Sequence, residues 1–184
     1  VAGLEAFRTP PRMGRPAPML GAAVLLAHQA LTWAAADVTW PGIFAKIEHE
    51  FPFVRSVTVE ELAVSLQSAS TPLVDVRAPA EFAVSHLKGA LNLQTATAVS
   101  GRFPDRESRL VIYCSVGYRS ANVTDALQRM GYVHVRNLKG SIFEWANKGH
   151  PVYRGGLQVH EVHPFNAVWG VLLNPDLHPA ATVQ

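Results

Sequence analysis

The sequence contains a single cysteine, Cys114, among 184 residues. No intramolecular disulfide can form, so stability must come from packing, and any redox step at sulfur needs a second molecule. Charge is sparse too: 16% of residues are charged, the 16 Lys and Arg are scattered, and the formal net charge is only +2. No basic block marks a nucleic-acid surface. Internal repeats and low-complexity tracts are also missing. The longest apolar run, Met19 to Ala27, is broken by His28 and Gln29 before it reaches the length of a membrane span. What is present is 48% hydrophobic residues, enough for one domain with a real core but not for two.

Residues 1–36 differ from the rest. Arg8, Arg12 and Arg15 precede the apolar run, and Ala34-Ala35-Ala36 precedes Asp37. A basic segment, a short apolar core and small residues resemble a secretory signal peptide, which would place the protein outside the cytoplasm. An ordinary N-terminal helix on a cytoplasmic protein is the alternative. Residues 37–55 are irregular and aromatic, with Trp40-Pro41, Phe44 and Phe51-Pro52-Phe53 around a possible helical turn. They are expected to pack on the domain or on a membrane.

The domain proper is expected over residues 56–152. Thr58 and Glu61 have capping-box spacing, and Val59, Leu62, Ala63 and Leu66 share a helical face. Leu73 to Val76 is a short apolar run that predicts a buried strand, and Pro79 and Glu81 suit the first turn of a short helix. Ala90 to Leu93 and Leu110 to Tyr113 predict two more strands, the latter ending on Cys114. Val123, Ala126, Leu127 and Met130 predict the inner face of a helix closed by Gly131. Val133 to Val135 predicts a further strand, and Ser141 with Glu144 a capping box opening a short helix. Strands alternating with helices argue for an α/β fold with a mainly parallel sheet. Residues 153–184 form an extension with one expected helix, in which Pro164 takes a first-turn position and Phe165, Val168, Trp169 and Leu172 share a face. A monomer is expected.

Cys114 is where chemistry is expected. In an open parallel sheet, ligands bind beyond the carboxyl ends of the strands. There the chain must turn from strand to helix, so backbone N–H groups and the positive end of the helix can converge on the sulfur and stabilise a thiolate. Gly117 permits the backbone angles of such a turn. Arg119 adds a positive charge that can support the thiolate or an anionic substrate. An arbitrary lone cysteine is more often a buried, inert hydrophobe, and only this context overturns that prior.

Several motifs in order resemble the rhodanese family. They are Leu73-Val74-Asp75-Val76-Arg77, Glu81-Phe82, Ser85-His86-Leu87-Lys88-Gly89-Ala90-Leu91-Asn92, Val111-Ile112-Tyr113-Cys114 through Arg119-Ser120-Ala121, and Asn137-Leu138-Lys139-Gly140-Ser141 with Trp145. The resemblance covers roughly residues 56–152. It implies a rhodanese-like three-layer α/β fold with a five-stranded, mainly parallel sheet flanked by helices. It also implies a sulfurtransferase whose cysteine takes a sulfane sulfur from a donor such as thiosulfate, becomes a persulfide, and passes the sulfur to cyanide, a thiol or a protein acceptor.

In this chain the nucleophile would be Cys114, and Ser115, Val116, Gly117, Tyr118 and Arg119 would form the loop around the persulfide. Asp75, Arg77 and Ser120 would support it, with Arg77 expected near Glu81. His86 is expected to satisfy backbone groups, and Tyr118 to cover part of the pocket mouth. No metal or other cofactor is implied, and His160 and His163 lack further ligands at a recognised spacing. Loop length separates two relatives: Cys114 through Arg119 is six residues, as in rhodaneses, whereas related phosphatases and arsenate reductases use seven. A cysteine-based phosphatase or arsenate reductase, motivated by Arg119, and a non-catalytic docking module are the competing readings.

Overall fold

The four residues of β4, Leu110–Tyr113, are all buried. An unbroken apolar run of this length suits the centre of a parallel sheet, where both faces are covered. The computed structural model describes residues 38–68 and 71–180. In it β4 lies at the middle of a five-stranded sheet with β1 (Ser56–Val57), β2 (Leu73–Asp75), β3 (Leu91–Asn92) and β5 (Val135–Leu138), ordered β1-β5-β4-β2-β3. Every pairing is parallel, with Val74 opposite Ile112 and Ile112 opposite Asn137. The stretch of residues 1–36, including its leader-like segment, lies outside the described residues.

Helices flank the sheet. They are α1 (Trp40–Glu50), α2 (Val59–Ser68), α3 (Pro79–Val84), α4 (Ala96–Arg102), α5 (Tyr118–Arg129) and α6 (Ser141–Asn147). Alternate strand residues Val74, Val76, Leu110, Ile112 and Val135 meet Val99 of α4 and Leu127 of α5 in one core, and Cys114 belongs to it. The capping box of α2 is formed: the Thr58 N–H donates to Glu61 Oε2 at 2.8 Å, and the Glu61 N–H to Thr58 Oγ1 at 3.2 Å. In α5 the inner face is Ser120, Ala121, Thr124 and Leu127, whereas Met130 is exposed.

This differs from the expected face of Val123, Ala126, Leu127 and Met130, and three further local expectations are corrected. The last strand of the sheet runs over Val135–Leu138, not Val133 to Val135. After the turn at Gly131, Tyr132 drops into the core and its hydroxyl donates to the Phe103 carbonyl, which leaves Val133 exposed. Arg136 and Asn137 hide the strand because they break the apolar run. Secondly, α6 has no capping box: Gly140 is its N-cap, and the Ser141 hydroxyl donates instead to the Leu138 carbonyl at 3.0 Å.

Thirdly, the tail helix shrinks to one turn, α7 (Ala167–Gly170). Asn166 Oδ1 accepts the Val168 and Trp169 amides at 3.0 Å each and so starts the helix after Phe165. Phe165 and Val168 are exposed, and the tail is held by buried Leu172, Leu173 and Leu177. A hairpin of β6 (Val152–Arg154) and β7 (Leu157–Val159), not expected from the sequence, precedes the tail. Its turn, Gly155 and Gly156 at φ 56° and 85°, uses the two positive angles that glycine tolerates. Among the described residues no helix is long and apolar enough to cross a membrane.

Candidate active site

Cys114 follows the last residue of β4, and the chain must leave the sheet there to start α5 at Tyr118. Gly117 makes the turn at φ 108°, a conformation that costs an L side chain dearly. A Cβ there would also stand 3.4 Å from the Leu138 carbonyl oxygen and 3.5 Å from Ile47 of α1. The result is a tight loop around the sulfur. Sγ accepts the Gly117 N–H at 3.2 Å and the Ser120 hydroxyl at 3.5 Å.

The loop is pinned from behind. The Cys114 N–H donates to Ser141 Oγ at 3.1 Å, while the Ile142 and Phe143 amides donate to the carbonyls of Cys114 and Ser115 at 3.2 and 3.1 Å. Asn137 Nδ2 donates to the Gly117 carbonyl at 3.1 Å. Val116 is buried and anchors the loop by packing. Thus β5 and the first turn of α6 hold the peptide groups whose positions decide what the sulfur meets.

Arg119 completes the surroundings. Its Nη1 donates to Glu81 Oε2 at 2.8 Å and its Nη2 to Glu81 Oε1 at 2.7 Å. Nη2 also reaches Ser115 Oγ at 2.9 Å, and that hydroxyl donates onward to Glu81 Oε1 at 3.1 Å. Burial works against a charged Cys114, but the Arg119 charge, the Ser120 hydroxyl and amide and the Gly117 amide outweigh it, so the thiol is more acidic than usual. Burial likewise opposes ionisation of Glu81, and Arg119 overrides it, holding the carboxyl below its ordinary range.

Asp75 and Arg77 lie one strand away from the loop. Arg77 lies near enough to Glu81 for their charges to interact, as expected, but its hydrogen bonds go elsewhere. Its Nε and Nη2 donate to the Asp75 carboxylate at 2.7–3.1 Å, both side chains are fully buried, and Nη2 also donates to the Ser85 carbonyl at 2.6 Å. A buried carboxylate demands a charged partner, and Arg77, two residues on, supplies it. Glu81 sits on the first turn of α3 and turns to Arg119. Asn92 Nδ2 donates to the Asp75 and Arg77 carbonyls at 3.0 and 2.8 Å, so this cluster ties the ends of β2 and β3 together.

His86 stacks on Phe82 with ring centroids 4.0 Å apart, and its Nδ1 lies 3.1 Å from the Phe82 carbonyl oxygen. Tyr118 points to α1: its hydroxyl donates to Glu50 and its ring meets Phe51 edge-on at 5.6 Å. His160 pairs with Asp176 at 3.2 Å and His163 Nδ1 accepts the Phe165 amide at 3.0 Å, so the two face different partners. Among the described residues no three His, Cys, Asp or Glu side chains are grouped to hold a metal.

A family model, the rhodanese-like domain, matches residues 58–148. A sulfurtransferase of Allochromatium vinosum is 40% identical over 103 residues, covering 54% of this chain and 94% of that protein. The chain belongs to the rhodanese-like domain family. The thiosulfate sulfurtransferase PspE of Escherichia coli is 31% identical over 70 residues, 36% of this chain and 67% of that one. The crystal structure of a thiosulfate sulfurtransferase from Pseudomonas aeruginosa superposes with a TM-score of 0.55 at 22% identity, covering 65% of this chain and 23% of that one. That likeness shows the shared fold.

Two groups beside this rhodanese-like loop come from outside the matched span. Glu50 and Phe51 hold Tyr118 from one side, and Phe165 lies over Arg119 with its ring centroid 4.7 Å from the guanidinium carbon. Neither was legible, because nothing local in the sequence links position 50 or 165 to the loop. Ser141 and Asn137 were within a recognised motif but gave no sign that their side chains brace the loop. The Glu81 partnership with Arg119 is equally long-range.

Proposed function

We propose that the protein is a sulfurtransferase that works through a persulfide on Cys114. In the first half-reaction the Cys114 thiolate attacks the outer sulfur of a donor such as thiosulfate. The new S–S bond forms as the donor's own S–S bond breaks, and its electron pair leaves with sulfite. In the second, a thiolate or cyanide attacks the outer sulfur and Cys114 departs as thiolate. No electrons or protons are left over. Because Cys114 is the single cysteine, no internal thiol can resolve the persulfide, and the acceptor must be another molecule.

The observation that carries this reading is the six-residue loop that places the Gly117 amide and the Ser120 hydroxyl on a sulfur made acidic by Arg119. The Gly117 amide would stabilise negative charge on the inner sulfur during both transfers. Arg119 supplies field in place of a substrate clamp, since one edge of its guanidinium already spans Glu81. Nη2 gives its hydrogens to Glu81 and Ser115, so neither the Nη1–Nη2 edge nor the Nε–Nη2 edge is free to grip a tetrahedral oxyanion as a phosphatase must. Relatives named as sulfurtransferases support the same choice.

The test is intact mass after incubation with thiosulfate and removal of excess donor. The full chain gains one sulfur, added thiol or cyanide removes it, and Cys114→Ser gains none. No added mass with thiosulfate or with a low-molecular-weight persulfide overturns the proposal.

A further inference from the structure

Among the described residues, Ser141 and Phe165 are the non-glycine positions with positive φ, at 50° and 67°. Ser141 uses its conformation to bond both Leu138 and Cys114. Phe165 has no comparable use within the fold. A bulky side chain in this region is strained, and here the residue is 41% exposed, so no core holds it there.

The turn is nevertheless built with care. The Phe165 amide donates to His163 Nδ1 at 3.0 Å, the Asn166 amide to the Pro164 carbonyl at 2.8 Å, and Asn166 then caps α7. What the strained residue touches is Arg119, whose guanidinium carbon lies 4.7 Å from the ring centroid, a cation-over-face contact. Glu81 and Ser115 bind that guanidinium through its N–H groups, and Phe165 takes a face.

We propose that Phe165 is a positioning residue of this site: its ring clamps the face of Arg119, keeping the cation against Glu81 and beside the Cys114 sulfur. The inference rests on Cys114 as the reacting group but not on any particular sulfur donor. The charges that meet at Arg119 are Glu81 from α3 and the Cys114 thiolate from the end of β4, and His163 is the titratable group on the Phe165 turn itself. A slack Arg119 would stabilise the thiolate less.

The experiment is an ultraviolet thiolate titration of the full chain, with the Cys114→Ser chain subtracted. Phe165→Ala is expected to move the midpoint up by about half a pH unit, a threefold loss of thiolate, the scale of an exposed cation–π contact. Phe165→Trp should keep the wild-type midpoint, Phe165→Leu should behave like alanine, and Val168→Ala, also exposed on the tail, should change nothing. Phe165→Gly suits the left-handed backbone, so it should melt no lower than wild type while its thiol becomes less acidic; a packing role predicts a lower melting point and no change in the thiol. In an Arg119→Met background Phe165→Ala should have no further effect.

The proposal is overturned if leucine restores the wild-type midpoint, if alanine and glycine both leave it unmoved, or if the alanine shift persists without Arg119. Should the alanine variant not fold, the glycine and leucine variants decide the matter alone. Failure of thiosulfate to load sulfur would sink the sulfurtransferase reading and leave this titration standing.

Discussion

Glu81 and Arg119 meet edge to edge, two N–H donors on two carboxylate oxygens at 2.8 and 2.7 Å, across 38 residues of sequence. The carboxylate is almost fully buried, while the arginine side chain keeps 35% of its surface. Glu81→Gln removes the charge and leaves the shape. We expect a loss of about 2 kcal/mol in urea unfolding, below the full cost of a broken buried pair because Arg119 is partly solvated. The same change should make the Cys114 thiol more acidic, since Arg119 would no longer share its field with a carboxylate. A thiolate titration that moves upward instead would show that Glu81 serves mainly to hold Arg119 in place.

Acid should weaken this pair. The Glu81 carboxyl, despite burial, titrates below its unfolded value because Arg119 stabilises its charge. Its contribution is therefore complete above the unfolded carboxylate value, about 4.3. It is lost as pH falls through the lower folded value. Thermal melting of the wild type and Glu81→Gln should differ at neutral pH, and the gap should begin to narrow only below the unfolded value of about 4.3 and close as pH falls through the lower folded value. A gap that never narrows as the pH is taken further down, well below the unfolded carboxylate value, would place the stabilisation elsewhere.

Gly117→Ala tests the turn. An alanine must adopt φ 108° beside the Leu138 carbonyl and Ile47. We expect a loss of about 1–3 kcal/mol in stability. Sulfur loading at Cys114 should fall by more than the unfolded fraction explains, because the Gly117 amide moves off Sγ. Normal loading in a folded alanine variant would deny the amide any part in transfer.

Aryl phosphate hydrolysis should be absent from the wild type. Both two-nitrogen edges of Arg119 share Nη2, whose hydrogens go to Glu81 and Ser115, so neither edge is free to grip a phosphate. Turnover of p-nitrophenyl phosphate that disappears in Cys114→Ser would reverse the assignment of reaction class.

Tyr118 joins the loop helix to α1 through Glu50 and Phe51. Tyr118→Phe keeps the ring contact and removes the hydroxyl, so amide exchange in α1 should accelerate while the core strands stay protected. Equal exchange in both proteins would mean that Ile43 and Ile47, buried under the helix, hold α1 unaided.

Much of the sheet was legible because strands buried on both faces read as apolar runs, as in β4 and in Leu73-Val74 of β2. Strand β5 starts two residues later than expected because Arg136, exposed, and Asn137, which bonds Gly117, break that run. Helix α4 escaped notice since Val99 is its one buried residue, too little for a periodic signal. The adjacent Gly155-Gly156 is itself a hairpin-turn signal, legible in the sequence. Within the site, Cys114, Gly117 and Arg119 could be chosen from the chain alone, because strand end, turn and cation lie within six residues. Glu81, Asn137, Ser141 and Phe165 could not, since each acts across a gap that only folding closes.

The bracing of the loop by Ser141, Ile142, Phe143 and Asn137 has a further consequence. Each of those bonds forms when the sheet closes, so the ordering entropy of residues 114–117 is spent at folding and not when a ligand arrives. Charge appearing on the sulfur then meets dipoles that are already aligned and need not reorient. The barrier to the chemical step should accordingly change little with solvent viscosity, and any slow event in turnover should lie in how partners approach and leave a fixed sulfur.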